Sequence, residues 1–212
     1  MKSCKAGWWE PAADKAVKCR LCPRSCLIPE GCGGYCGVRR NIGGELQSIA
    51  YGHPVAIHVD PIEKKPIVEF LPGSWSLSLG TYGCNLGCSF CQNYHLSRGS
   101  YAFSRTEEYV SPEAVVKAAL QKNCKSVSFT YNEPTIWAEY MMDIAAAARK
   151  NKLATVCVTN GYITMEAAKD IYPLIDAANI DMKGFSENFY SKMCAGRLQP
   201  VLDAIKYYHG TG

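Results

Sequence analysis

The sequence predicts an α/β fold in which parallel strands carry helices on their outer side, with a small cysteine-rich module in front. Three observations predict it. Strand-like and helix-like segments alternate four times between residue 75 and the C-terminus, the pattern of successive βα units. Residues 19–37 crowd cysteines among Pro23, Pro29, Gly31, Gly33, Gly34 and Gly37, a composition that builds little core unaided. The length, 212 residues, fits one ordinary domain with a small appendage. The expected division is a cysteine-rich module with short strands over 1–72 and the α/β part over 73–212.

Each element has its own signal. Residues 45–70 (ELQSIAYGHPVAIHVDPIEKKPIVEF) alternate as two or three short strands that join the module to the rest. His53 and His58 lie there and read as ordinary surface or hairpin residues. Residues 75–81 (WSLSLGT) alternate as a strand that runs straight into a cysteine loop. Ser111-Pro112-Glu113 starts a helix with proline at its first position, and Val115/Ala119 and Val116/Leu120 pair at i,i+4. Residues 125–130 (KSVSFT) form the second strand. Pro134 to Lys150 is a helix with Ile136, Tyr140 and Ile144 on one face; Arg149 and Lys150 complement the dipole of its last turn. Residues 153–158 (LATVCV) are a buried strand, and Thr164 caps a third helix. Residues 177–182 (AANIDM) make the fourth strand, and a helix bearing Val201, Leu202 and Ile205 closes the chain. By periodicity alone the sheet is either a barrel or an open doubly wound sheet.

Composition removes several functional classes. Hydrophobic residues at 48% and charged residues at 20% exclude disorder. A net charge of +4, scattered along the chain, gives no reason to expect a nucleic-acid partner. Residues 1–20 carry repeated charges and no apolar h-region. Residues 70–97 lack Asp, Glu, Lys and Arg, but Gly, Ser, Asn and Pro break them, so no membrane span is expected. Twelve cysteines without an export signal argue for metal in a reducing cytoplasm rather than for disulfides.

Eight of those cysteines cluster. Cys84, Cys88 and Cys91 have C-x3-C-x2-C spacing within Gly80-Thr-Tyr-Gly-Cys-Asn-Leu-Gly-Cys-Ser-Phe-Cys-Gln-Asn. Such a loop presents three thiolates to three irons of a [4Fe-4S] cube and leaves the fourth iron open to a small molecule. His95 is a possible fourth ligand, and a zinc site completed by a distant residue is the alternative. The other five are Cys19, Cys22, Cys26, Cys32 and Cys36. Four would close a structural metal site that stabilises the loop-rich module, and both zinc and a second [4Fe-4S] cluster fit the count, with zinc slightly preferred. In either sheet architecture functional groups gather at the carboxyl ends of strands. Those ends carry Cys84–Cys91, then Tyr131-Asn132-Glu133, Thr159-Asn160-Gly161 and Asp181-Met182-Lys183. Taken singly, Asn160-Gly161 reads as a turn and Asp181 as a cap.

Cys84-x3-Cys88-x-Phe90-Cys91 resembles the signature of the radical S-adenosylmethionine (SAM) superfamily, in which an aromatic residue precedes the third cysteine. The longer string from Asp60-Pro-Ile-Glu-Lys-Lys-Pro66 through Leu71-Pro-Gly73 and Gly80-Thr81 to Cys91-Gln-Asn93 resembles the AmmeMemoRadiSam-system enzymes, relatives of pyruvate formate-lyase activating enzyme. The resemblance runs from about Cys19 to the C-terminus. It implies a partial (β/α) barrel, four of about six units, with the rest of the barrel expected beyond residue 212. It implies a [4Fe-4S] cluster on Cys84, Cys88 and Cys91, and SAM cleaved reductively to a 5′-deoxyadenosyl radical that acts on an unidentified substrate. An electron donor such as flavodoxin or ferredoxin is the implied partner.

The resemblance also assigns residues. Glu133 would receive the methionyl ammonium, with Asn132 beside it in the SAM site. The Phe90 backbone would lie against adenine, and Thr159 and Asn160 would lie near the methionyl and ribose groups. Asp181 and Lys183 match a D-x-K segment on the substrate side. Cys19, Cys22, Cys26 and Cys36 match the pattern C-x-L-C-P-x-x-C…G-x-C, which leaves Cys32 spare. The activating enzymes carry an acidic residue before their T-N-G, where this chain has Val158. Activation of a glycyl-radical partner is the alternative activity; a zinc-ribbon binding module is the alternative of another class. Cys194 is a candidate catalytic thiol if it faces the rim and an ordinary surface thiol if it does not. Cys157 reads as core, Cys124 as a helix–strand turn, and Trp8-Trp9 as an anchor for the N-terminus.

Overall fold

Short alternating segments at the N-terminus can form only small sheets, and they do. The structure, a computed structural model, describes residues 3–98 and 108–210. Its first six strands are β1 (Cys4–Lys5), β2 (Trp9–Pro11), β3 (Val17–Cys19), β4 (Leu27–Ile28), β5 (Arg39–Ile42) and β6 (Glu45–Ser48). They make two antiparallel three-stranded sheets, ordered β2-β3-β4 and β1-β6-β5. Gly43 and Gly44 close the β5–β6 hairpin at φ of 67° and 88°, values that a two-residue turn demands and glycine supplies without strain.

The remaining elements are β7 (Ala56–Pro61), β8 (Trp75–Gly80), α1 (Tyr94–Arg98), α2 (Pro112–Gln121), β9 (Ser126–Phe129), α3 (Ala138–Lys150), β10 (Ala154–Thr159), α4 (Met165–Ile171), β11 (Ala177–Ile180), α5 (Glu187–Met193) and α6 (Gln199–His209). The central sheet runs β7-β8-β9-β10-β11, parallel from β8 to β11, with β7 antiparallel on the edge. Strand order follows chain order without reversal. That is the winding of a barrel segment; a doubly wound sheet reverses at a switch point. The fold is therefore α/β with a parallel central sheet, as the alternation predicts.

The expected caps form: Ser111 Oγ accepts from the Ala114 N–H and Thr164 Oγ1 from the Ala167 N–H. Ile136, Tyr140 and Ile144 are all buried, as are Cys124 and Cys157. Three details differ. The segment from Pro134 opens as a turn of 3-10 helix, Pro134–Trp137, before α3 begins. Leu120 is exposed although its i,i+4 partner Val116 is buried; it lies in the last turn of α2, at the end of the packed stripe. The boundary expected at residue 72 cuts the β7–β8 hairpin, so residues 56–61 pair within the central sheet. The core is shared too. Val17, Leu21, Ile28, Val38 and Leu46 pack in one apolar cluster with Leu77, Phe129, Ile136 and Trp137, and each such side chain contributes about 1.5–3 kcal/mol by leaving water. No helix among the described residues is long and apolar enough to cross a membrane.

Candidate active site

The carboxyl ends of β8 to β11 form one rim, and polar side chains stitch them together. Glu133, 3% exposed, follows β9. Its Oε1 accepts from the Thr135 N–H at 3.0 Å and the Thr159 hydroxyl at 2.6 Å, and its Oε2 from the Asn160 N–H at 2.8 Å. The carboxylate thus clasps the ends of β9 and β10, and Oε2 retains capacity for another donor. Asn132 faces back to β8. Its Oδ1 accepts from the Thr81 N–H at 2.9 Å, and its Nδ2 donates to Thr81 Oγ1, Tyr82 O and Gly83 O, each at 3.1 Å. Every polar atom of that amide is committed to holding the entrance of the cysteine loop. Asn160 Nδ2 reaches Asn85 Oδ1 at 3.0 Å and Cys84 Sγ at 3.7 Å, tying β10 to the loop.

The loop itself depends on close backbone approach. Gly83 has a φ of 88°, and a Cβ there would meet the Cys36 carbonyl oxygen at 2.1 Å; at Gly87 it would meet Tyr35 Oη at 2.4 Å. Arg24 and Arg98 stack on Tyr35, with guanidinium carbons 3.6 and 4.1 Å from the ring centre. Arg24 Nε donates to Asn85 O at 2.8 Å, and Arg98 Nη2 donates to Leu86 O. From the other side, Gly87 N and Ser89 N donate to Cys194 O and Met193 O at 2.8 and 2.9 Å. The Leu86 N–H points at Cys84 Sγ at 3.4 Å, and Cys91 Sγ lies 3.1 Å from Ser97 Oγ. Burial, followed by the charge of Glu133, pushes the Cys84 thiol up to about 12.

This donor set suits a [4Fe-4S] cluster with three thiolate ligands: three cysteines on one loop, with N–H and O–H groups directed at two of the sulfurs. Among the described residues no three His, Cys, Asp or Glu side chains gather closely enough to hold a single metal ion. A cube differs from an ion in that each thiolate meets a separate iron. His95 is exposed on α1.

Asp181 and Lys183 form an ion pair on the rim, and the Lys183 N–H donates to Tyr190 Oη at 3.0 Å. Burial lowers the Lys183 ammonium, but Asp181 more than offsets it, so its pKa stands above the ordinary value. Phe90 is exposed between Cys88 and Cys91, its ring 5.8 Å from that of Phe189. Cys194 is not a surface thiol. It is fully buried, its free thiol hydrogen-bonded to that of Cys88, and burial pushes it up to about 12. The short helix α5 that puts it there gave no clear periodic signal in seven residues. Arg24, Arg98 and Tyr35 were likewise missed, since nothing local links them to the loop.

Behind the loop lies a second set of thiols. Cys19, Cys22, Cys26 and Cys36 line one pocket with Arg39 and Asn85, whereas Cys32 is exposed. Burial raises the Cys22 and Cys36 thiols above their ordinary value. The module is fastened to the α/β part by a buried ion pair, Arg39 Nη1 to Glu139 Oε1 at 2.8 Å. The Arg20 and Leu21 carbonyls accept from Thr164, and Trp8 Nε1 donates to Asp170 at 2.9 Å.

Comparison with known proteins gives the family. The uncharacterized protein MJ0808 of Methanocaldococcus jannaschii is 41% identical over 205 residues, which is 95% of this chain and 60% of that protein. The chain thus spans about 60% of the length of that relative. Among solved structures, that of TYW1 with a lysine-pyruvate adduct bound has a TM-score of 0.45 at 17% identity, covering 74% of this chain and 61% of its own. QueE from Escherichia coli has a TM-score of 0.42 at 15% identity, covering 72% and 67%. The family model of the radical SAM superfamily matches residues 78–212, from the middle of β8 to the C-terminus. The chain belongs to the radical SAM superfamily, whose enzymes use a [4Fe-4S] cluster and SAM.

Proposed function

We propose that Cys84, Cys88 and Cys91 hold the [4Fe-4S] cluster of a SAM-cleaving enzyme of the AmmeMemoRadiSam type, acting on a substrate not yet identified. The observation that carries this reading is the three-thiol loop on a rim that also bears Glu133, Asn160, Asp181 and Lys183. When bound, the cluster supplies one electron to SAM, and cleavage of the sulfur–carbon bond yields a 5′-deoxyadenosyl radical. Glu133 Oε2 offers a buried anionic acceptor for the methionyl ammonium, a charge-assisted hydrogen bond. Thr159 and the Asn160 backbone hold that carboxylate in place, and Asn160 Nδ2 directs its N–H at Cys84. Phe90 offers exposed backbone and ring to adenine. Asn132 acts as a positioning residue that fixes the start of the loop. Asp181 and Lys183 present a paired acid and base to the substrate side.

The electron would come from a flavodoxin or ferredoxin in a reducing cytoplasm. Support for the AmmeMemoRadiSam assignment is the Asp60–Pro66, Leu71–Gly73 and Gly80–Asn93 string.

The test is anaerobic purification, then incubation with SAM and a chemical reductant, with 5′-deoxyadenosine followed by chromatography. Slow release without any partner protein is expected. It should vanish, with about four irons, in the Cys84→Ala/Cys88→Ala/Cys91→Ala variant, and Glu133→Gln should weaken SAM binding. Retention of all iron by the triple variant refutes the ligand assignment, and unchanged SAM affinity in Glu133→Gln refutes that role.

A further inference from the structure

The geometry points to a second [4Fe-4S] cluster, closed by Cys19, Cys22, Cys26 and Cys36, in the pocket between the N-terminal module and the Cys84–Cys91 loop. These four thiols, and not the exposed Cys32, border that pocket. They come from three turns: the end of β3, the Cys22–Cys26 loop and the segment before β5. Arg24 fastens the loop between Cys22 and Cys26 to Asn85, and Thr164 fastens Leu21, so the ring is held from outside.

Two observations choose the ligand. The first is Arg39, 1% exposed, which lines the same pocket and whose Nε–H has no hydrogen-bond partner. A buried guanidinium N–H without an acceptor is costly, and Arg39 lines the pocket together with Cys19 and Cys36. A thiolate-bound metal centre is anionic and supplies the missing acceptor, either ligand sulfur or inorganic sulfide. The second is position. Asn85, the residue after Cys84, lines the same pocket as the four thiols, so the site lies next to the loop of a chain whose superfamily loads [4Fe-4S] clusters. Four thiolates close a cube, one to each iron, and zinc on the same four sulfurs is the competing outcome that the test separates. Loading takes ferrous and ferric iron in equal number, sulfide and the four thiolates; the thiol protons are released and no further oxidant is needed. Asn85 borders the pocket and adjoins Cys84, so the two centres would be neighbours, one closed and one open.

The test is metal and sulfide analysis of the full chain, purified and reconstituted without oxygen, with Mössbauer spectra to count cubes. Wild type should hold about eight irons and eight sulfides and no zinc. Cys22→Ala/Cys26→Ala should retain about half the iron, as should the Cys84/Cys88/Cys91 triple variant, while Cys32→Ser keeps all of it. If the Cys22/Cys26 variant fails to fold, wild type and the triple variant still decide. About four irons left in the triple variant supports the second cluster. About four irons with one zinc in wild type, or none left in the triple variant, overturns it. Loss of the rim cluster alone would instead lower wild type to half its iron and leave the triple variant unchanged, so the two assignments fail separately.

Discussion

The two cysteine sites adjoin through Asn85, which lines the module pocket and follows Cys84 in the chain, and they differ in nearly every other respect. The rim site has three partly exposed thiols on one eleven-residue stretch, Thr81–Cys91. It is backed by a carboxylate and amides from the next strands and bears Phe90, which is exposed. The module site has four thiols drawn from three turns, with Cys19 and Cys22 buried and a cation closing its far wall. An open, three-ligand arrangement leaves a position for chemistry, and a closed, four-ligand arrangement leaves none. On the proposed assignments, equal ligand chemistry would serve reaction in one place and cohesion in the other, according to what surrounds it.

Substitutions should separate those roles, and the largest effect belongs to the rim. Cys88→Ala should reduce 5′-deoxyadenosine formation by more than about a thousandfold, some 4 kcal/mol on the barrier, with an unchanged far-UV spectrum. Activity within tenfold of wild type would remove Cys88 from the open site. Next comes the joint between the regions. Arg39→Met strands Glu139 with little solvent beside Gly7, at a cost of about 3 kcal/mol, read as a fall in Tm of roughly 6–12 °C. Arg39→Met/Glu139→Leu should recover most of it. A Tm drop under 2 °C in the single variant would show that the module is held by its core alone.

Acid stability should come from neither cysteine site. Burial alone would raise Asp60, but donors from Lys65, Tyr131 and Lys64 outweigh it and hold the carboxylate well below the usual range. A group depressed on folding binds fewer protons folded than unfolded. Its stabilisation is therefore complete above about pH 4 and is lost as pH falls below that. Asp60→Asn should flatten the acid arm of a Tm-versus-pH curve, and an unchanged slope there would reassign the acid sensitivity elsewhere. The smallest effect is expected at Thr164→Ala, about 1 kcal/mol for a lost N-cap, with a slight excess because the same hydroxyl holds the Arg20 carbonyl. Denaturant titration measures it, and a loss below 0.3 kcal/mol would leave that seam without energetic weight.

Much of this was legible in the sequence because it is local. Strand alternation in WSLSLG, the Ser111 and Thr164 caps and the C-x3-C-x2-C spacing depend on residues within a few positions of each other. Side-chain periodicity and loop reach tie such neighbours together in any context. Placing Cys19, Cys22, Cys26 and Cys36 as a set and Cys32 outside it came from a resemblance, and the pocket lining has the same membership. The tertiary structure alone decided what joins distant segments: Arg39 to Glu139 across 100 positions, Glu133 clasping β10, Asn132 gripping the loop, and Cys194 against Cys88. Those pairings follow from which faces pack together. Packing is set by the summed burial of many side chains, and no short stretch of sequence carries that sum.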